Sequence, residues 1–99
     1  MKFVIHADPE LAELIPGYLL HREEDVKVLH AALFSGDYAL IERLGHTMKG
    51  SGGGYGFDAI SEIGERMEEA AHRKNPEEIQ KELKKLEEYL AGVEVIYRK

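Results

Sequence analysis

The stretch GHTMKGSGGGYG, residues 45–56, sets His46 and Lys49 three positions apart and follows them with glycine at 50, 52, 53, 54 and 56. Residues of these types suit three chemistries: a glycine loop that cradles phosphate, a histidine that ligates metal, or an exposed histidine that acts as a nucleophile. The phosphate loop of nucleotide-binding proteins needs G-x-x-x-x-G-K-[ST] after a strand. Here Lys49 precedes the glycines, and the residues before it have a helical pattern. Gly54, Gly56 and Ala59 fit a loose G-x-G-x-x-A, again without the strand that a dinucleotide fold requires. The five histidines, at 6, 21, 30, 46 and 72, include no pair at helical spacing. Metal sites in helical bundles use two Glu-x-x-His pairs on facing helices, and only Glu69 with His72 fits one. Glu69 and His72 are therefore read as a solvated surface pair, and His6, His21, His30 and His72 have no chemical role in this reading.

The elements that must position His46 are helices. No segment alternates convincingly over strand length, whereas nearly every segment has a helical apolar period. Asp8 followed by Pro9 predicts an N-cap and a short first helix through ELAELI. Pro16 breaks or restarts the chain, and Leu19, Val26, Leu29 and Leu33 then mark a long amphipathic helix. Gly36 stops that helix and Asp37 caps the next, which carries Leu40, Ile41, Leu44 and Met48 on one face. A further helix starts near Asp58, with Ile60, Ile63, Met67, Ala70 and Ala71 inward. Asn75 and Pro76 open the last, whose stripe runs Ile79, Leu83, Leu86, Leu90, Val93 and Tyr97. Short loops make consecutive helices antiparallel neighbours. The expected fold is all-α: an up-down-up-down four-helix bundle with a short additional N-terminal helix, forming one domain over residues 1–99.

On a wheel of about 100° per residue, with Leu40 at zero, Ile41, Leu44 and Met48 fall within roughly the first 100°. His46 falls near ~240°, almost opposite the core, with Lys49 near ~180°, Gly50 near ~280° and Gly53 near ~220°. Ser51 and Tyr55 return to the core side, which predicts a helix persisting through much of the glycine run. Inside a helix each glycine is worse than alanine by about 0.5–1 kcal/mol. Five would forfeit roughly 3–5 kcal/mol of a typical total of 5–15 kcal/mol, a loss that a plain surface helix would not carry. Either the helix has ended and this is a loop, or Gly50, Gly53 and Gly56 leave bare backbone so that something large can approach His46. Glu42, one turn before, is placed to orient the ring.

Composition narrows the setting. Ninety-nine residues, 43% hydrophobic and 32% charged, describe one domain that is neither disordered nor membrane-embedded. No apolar stretch approaches the roughly 20 residues that span a bilayer. MKFVIHADPE has neither the long apolar core nor the cleavage site of a signal peptide. The absence of cysteine excludes disulfides, thiolate zinc sites and cysteine nucleophiles. A formal charge of −6 argues against nucleic acid, because such binding rests on Lys and Arg neutralising phosphates. The basic residues of EEIQKELKKLEEYL are interleaved with Glu, as on a solvated helix face. The expectation is a cytoplasmic monomer without nucleic-acid or membrane partners, and the Met1 start favours a free-standing protein.

HTMKGSGGGYG resembles the signature of histidine-containing phosphotransfer (HPt) domains, H-x-[LM]-K-G-x-x-x-x-x-G, met by His46, Met48, Lys49, Gly50 and Gly56. The resemblance extends across the chain, with the histidine midway along the second long helix of the bundle. Met48 stands where leucine is commoner, and Gly52, Gly53 and Gly54 stand where many members have Ser, Ala or Asn. The resemblance implies a relay in a multistep two-component pathway, with a hybrid sensor histidine kinase and response-regulator receiver domains as partners. A receiver's aspartyl phosphate passes to Nε2 of His46, which hands it to another receiver. A neutral imidazole is a competent nucleophile near neutral pH. Phosphoryl transfer depends on positioning and charge stabilisation, and Lys49 can supply positive charge to the phosphoryl oxygens. The same resemblance implies no cofactor or metal bound by this chain, magnesium being carried by the receiver. The protein is then a phosphohistidine carrier rather than an enzyme with independent turnover. The competing reading is a helical adaptor or docking module whose histidine is not phosphorylated.

Overall fold

The computed structural model describes residues 2–98. Four α-helices form the body: α1 (Ile15–Ser35), α2 (Tyr38–Ser51), α3 (Asp58–His72) and α4 (Pro76–Gly92). Their starts follow from local chemistry. The Asp37 carboxylate accepts from the Leu40 amide at 3.2 Å, and the Asn75 side chain accepts from the Glu78 amide at 3.2 Å. Pro16 and Pro76 sit in the first turns of α1 and α4, where a missing amide proton leaves no intrahelical bond unmade. Gly36 ends α1 in the left-handed conformation, with φ 74°.

Each helix packs on its sequence neighbour, and α1 closes the ring against α4. The core is built from the stripes expected of it. Leu29, Ile41, Met48, Ile60, Ile63, Met67, Ala70, Ala71, Ile79, Leu83 and Leu86 are all buried. The architecture is the all-α four-helix bundle, with two departures at its ends and one in its interior.

The first departure is a sheet. Phe3–Ala7 forms strand β1 and Val93–Tyr97 forms strand β2, paired in parallel with Phe3 opposite Val93 and Ala7 opposite Tyr97. Sequence reading assigned no strand and ran the last helix on to Tyr97. In five residues the two periods overlap: Val93 and Tyr97 are four apart, which suits a helical stripe, while Val93, Val95 and Tyr97 also alternate. The pairing that decides between them joins opposite ends of the chain. Phe3, Ile5, Val93 and Val95 pack against the core, and Val4, Glu94 and Ile96 face outward.

The second departure is the short N-terminal helix, which is a single 3-10 turn, Pro9–Leu11, followed by a non-helical turn into α1. Asp8 caps it as expected, accepting from the Glu10 amide at 2.9 Å. The chain must bend from β1 into α1 between residues 8 and 14, which leaves no room for an α-helix. The third departure is Glu82, a fully buried carboxylate on α4. It accepts from Nε of Arg66 at 2.9 Å and from Nζ of Lys85 at 3.3 Å, and these partners are what make its burial tolerable.

Candidate functional site

Helices α2 and α3 meet at their backbones. A Cβ on Gly64 would lie 2.6 Å from the Gly45 carbonyl oxygen and 2.6 Å from the Lys49 amide nitrogen. A Cβ on Gly45 would lie 2.8 Å from the Glu68 amide nitrogen, and one on Gly52 would lie 2.7 Å from the Ser61 amide nitrogen. These are distances that real side chains do not occupy, so the seam exists only because all three positions are glycine. The sequence reading treated the glycine run as clearance for a partner. Part of it is clearance for the neighbouring helix instead.

That close approach puts Glu68 of α3 beside the residue that follows Gly45. Nδ1 of His46 lies 2.9 Å from Oε2 of Glu68. A carboxylate only accepts, so Nδ1 donates in this contact, and whenever the ring is neutral its lone pair is on Nε2. The His46 side chain is 72% exposed, whereas that of Glu68 is 24% exposed, so the ring stands in solvent on a largely sheltered anchor. Nζ of Lys49, half-exposed one turn along α2, lies 4.0 Å from the other oxygen of Glu68. One carboxylate thus organises both the histidine and the lysine.

The expected role of Glu42 does not hold. Its carboxylate pairs with Nδ1 of His72 on α3 at 3.3 Å, and Glu68 takes the position beside His46. The reason is the seam: α3 approaches so closely that its own carboxylate reaches the ring. Glu68 was missed because no rule of spacing within one helix identifies it. A signal for it existed, in a glycine on each of two consecutive helices with an acid one turn past the second.

The glycine run also departs from the expected helix. The α-helix ends at Ser51, Gly53–Tyr55 forms a 3-10 turn, and Gly56 adopts the left-handed conformation with φ 93°. The Gly53 amide donates to Oγ of Ser61 at 2.8 Å, so the turn is tied to α3. A Cβ on Gly53 would face Asp58 and Ser61, at 3.6 and 3.7 Å, rather than lean back towards His46. Gly56 has a backbone reason to be glycine. Gly50 has nothing within 4 Å of the place its Cβ would take, and open space lies beside it one turn after the histidine. Tyr55 does return to the core side, stacking on Tyr18 at 4.3 Å between ring centroids. The Tyr18 hydroxyl is hydrogen-bonded to Oγ of Ser51 at 2.9 Å, which pins the end of α2 to α1.

Among the described residues, no cluster of three or more His, Cys, Asp or Glu side chains is arranged to hold a metal, and no helix is long and apolar enough to cross a membrane. A family model described as Hpt domain matches residues 13–94 of the chain. No curated protein and no solved structure matches it.

Proposed function

Because the chain belongs to the Hpt domain family, whose members carry phosphoryl groups in phosphorelays and engage receiver domains, we propose that His46 is its phospho-acceptor and that two receivers use it in turn. The observation that carries this reading is the 2.9 Å contact between Nδ1 of His46 and Glu68 on a ring whose side chain is 72% exposed; in the neutral ring this pairing puts the proton on Nδ1 and the lone pair on Nε2. As a receiver's aspartyl phosphate approaches, the Nε2 lone pair bonds to phosphorus while the acyl phosphate P–O bond breaks and the aspartate leaves as a carboxylate. Positive charge develops on the imidazole as that bond forms, and the Nδ1–H···carboxylate contact strengthens with it. An interaction that is stronger in the transition state than before it is one that accelerates the step. In the second transfer the carboxylate of the other receiver's aspartate bonds to phosphorus as the N–P bond breaks and its electron pair returns to Nε2.

Lys49 supplies a cation for the phosphoryl oxygens, its Nζ lying 4.0 Å from the carboxylate of Glu68 that also holds His46. Gly50, with open space in place of a side chain, is the clearance for the docking receiver, and Gly53 and Gly56 lie exposed on the turn beyond it. The first receiver is attached to a hybrid sensor histidine kinase, and magnesium is the receiver's. The protein acts as a cytoplasmic monomer.

The deciding experiment is incubation with an aspartyl-phosphorylated receiver domain and detection of acid-labile phosphate on His46, followed by chase into a second, unphosphorylated receiver. Label that appears and then transfers is the expected result. Absence of label would leave the helical adaptor reading in its place.

A further inference from the structure

The seam between α3 and α4 opens into a cleft of about 470 Å³ lined by none of His46, Lys49, Gly50 and Glu68. Ala59 and Ile63 of α3, with Ala91 and Gly92 of α4, make its apolar floor. Phe3 of β1 and Tyr89 form an aromatic wall, with ring centroids 5.0 Å apart and planes inclined by 43°. The volume falls within the roughly 300–1,000 Å³ of small-molecule pockets. Phe3 lies outside residues 13–94, so part of this cleft comes from a segment that the family match does not cover.

Charge at the mouth selects the ligand. Arg66 and Lys85 stand on the rim, but both are committed inward to the buried Glu82, at 2.9 and 3.3 Å. Glu62 and Glu88 also line the cleft, and neither has an ion-pair partner among the described residues. Three carboxylates against two cations leave this group at −1, on a chain whose formal charge is −6. Arg66 also feels the charge of Glu62 and Glu65, so acids outnumber bases around the rim. Aromatic rings beside carboxylates that make no direct ion pair are features that hold an organic cation, because the ring face is the negative end of its quadrupole.

We propose that this cleft binds a small organic cation with an aromatic or alkyl body, of the class of primary arylalkyl amines. The body lies against Phe3, Tyr89 and the Ala59–Ile63 floor, and the ammonium sits at the mouth between Glu62 and Glu88. Nothing in this site involves His46, which lies on the α2 side of α3.

The test is a titration of the isotope-labelled full chain, followed through its backbone amides, with phenethylammonium chloride. Phenylacetate and 2-phenylethanol serve as the anionic and neutral matches in size. Saturable shifts at Ala59, Ile63, Ala91 and Gly92 are expected with the ammonium, the neutral alcohol should bind more weakly by at least about tenfold, and phenylacetate more weakly still. The double variant Glu62→Gln, Glu88→Gln should weaken ammonium binding by about the same factor with the amide spectrum otherwise intact. Ala91→Leu, an exposed position whose longer side chain fills the floor, should abolish it. Four outcomes overturn the proposal: equal binding of phenylacetate, shifts gathered at Glu42, Glu68 and Glu69, undiminished affinity in the double variant, or no shift with any of the three probes.

Discussion

Helix α3 has two unlike flanks. Towards α2 it meets a glycine seam so close that a single methyl group at Gly45, Gly52 or Gly64 would run into backbone. Towards α4 it is bridged by Arg66 to Glu82, which Lys85 also holds from within α4, and an open cleft is lined by Ala59, Ile63 and Ala91. The difference is one of residue size along each seam. Where glycine faces glycine, backbones touch and the side chains at the edge are placed within hydrogen-bond distance, as His46 and Glu68 are. Where charged residues line the rim, the helices share an ion-pair network and leave volume. Tight packing suits a site that must hold one tautomer and one geometry, and loose packing suits a site that must admit something.

The largest effect expected from disturbing the tight flank is at its edge. His46→Gln should abolish acceptance of phosphate while shifting stability by no more than about 0.5 kcal/mol, because the side chain is exposed. Undiminished labelling of this variant, or its unfolding, would remove His46 from the role. Glu68→Gln comes next. It keeps the shape but loses the charge, and transfer should slow by roughly ten- to a hundredfold, somewhat less than the loss of a fully sequestered stabilising group. Lys49→Ala should slow it by less. Stopped-flow transfer rates separate these variants, and an undiminished rate for Glu68→Gln would show that the carboxylate does not act through the histidine.

Gly64→Ala tests the seam itself. The added methyl must push backbone apart, so a destabilisation of about 1–3 kcal/mol is expected. That corresponds to a fall in Tm of roughly 4–8 °C per kcal/mol for a domain of this size. Ala91→Leu, the matching enlargement on the open flank, should leave Tm nearly unchanged. Equal shifts for the two would erase the contrast between the flanks.

Tyr89, in the wall of the open flank, offers a pH test. Its hydroxyl is buried without a hydrogen-bond partner among the described residues. Burial, reinforced by the charge of Asp58 and by Tyr18, pushes its pKa from 10.0 up to about 12. The unfolded chain therefore loses this proton first as pH rises, so stability is full below pH 10 and falls by up to roughly 2 kcal/mol as pH passes through 12. Tyr89→Phe should flatten that alkaline limb in a pH series of urea melts, and should cost little at neutral pH because the hydroxyl makes no bond. A variant with the same alkaline loss would assign it to another group.

The smallest effect is expected at Gly53. Its backbone is not left-handed, and an added Cβ meets only ordinary contacts, so Gly53→Leu should alter stability by less than about 1 kcal/mol. Transfer from a receiver should slow if the turn lies under the docked partner. A melting curve and one transfer rate check both halves.

Much of this was written in the sequence, for local reasons. Caps at Asp8, Asp37 and Asn75, prolines in first turns and a stop at Gly36 depend on residues within a few positions of each other, and the structure places them accordingly. The apolar stripes of four helices were legible because burial repeats with the helical period. His46 was legible as outward-facing for the same reason. What the sequence could not decide involves residues far apart along the chain. β1 and β2 become strands only by pairing with each other from opposite ends, and five residues are too few to show which period they follow. Glu68 reaches His46 only because α2 and α3 approach across Gly45 and Gly64. The role of the glycines themselves, which in sequence looked like space reserved for a partner, was divided by the tertiary structure. Within the run, Gly52 admits a neighbouring helix, as Gly45 and Gly64 do outside it, Gly56 turns the chain, and Gly50 keeps open space one turn after the histidine. A missing side chain says that something comes close at that position, and only the folded chain shows what.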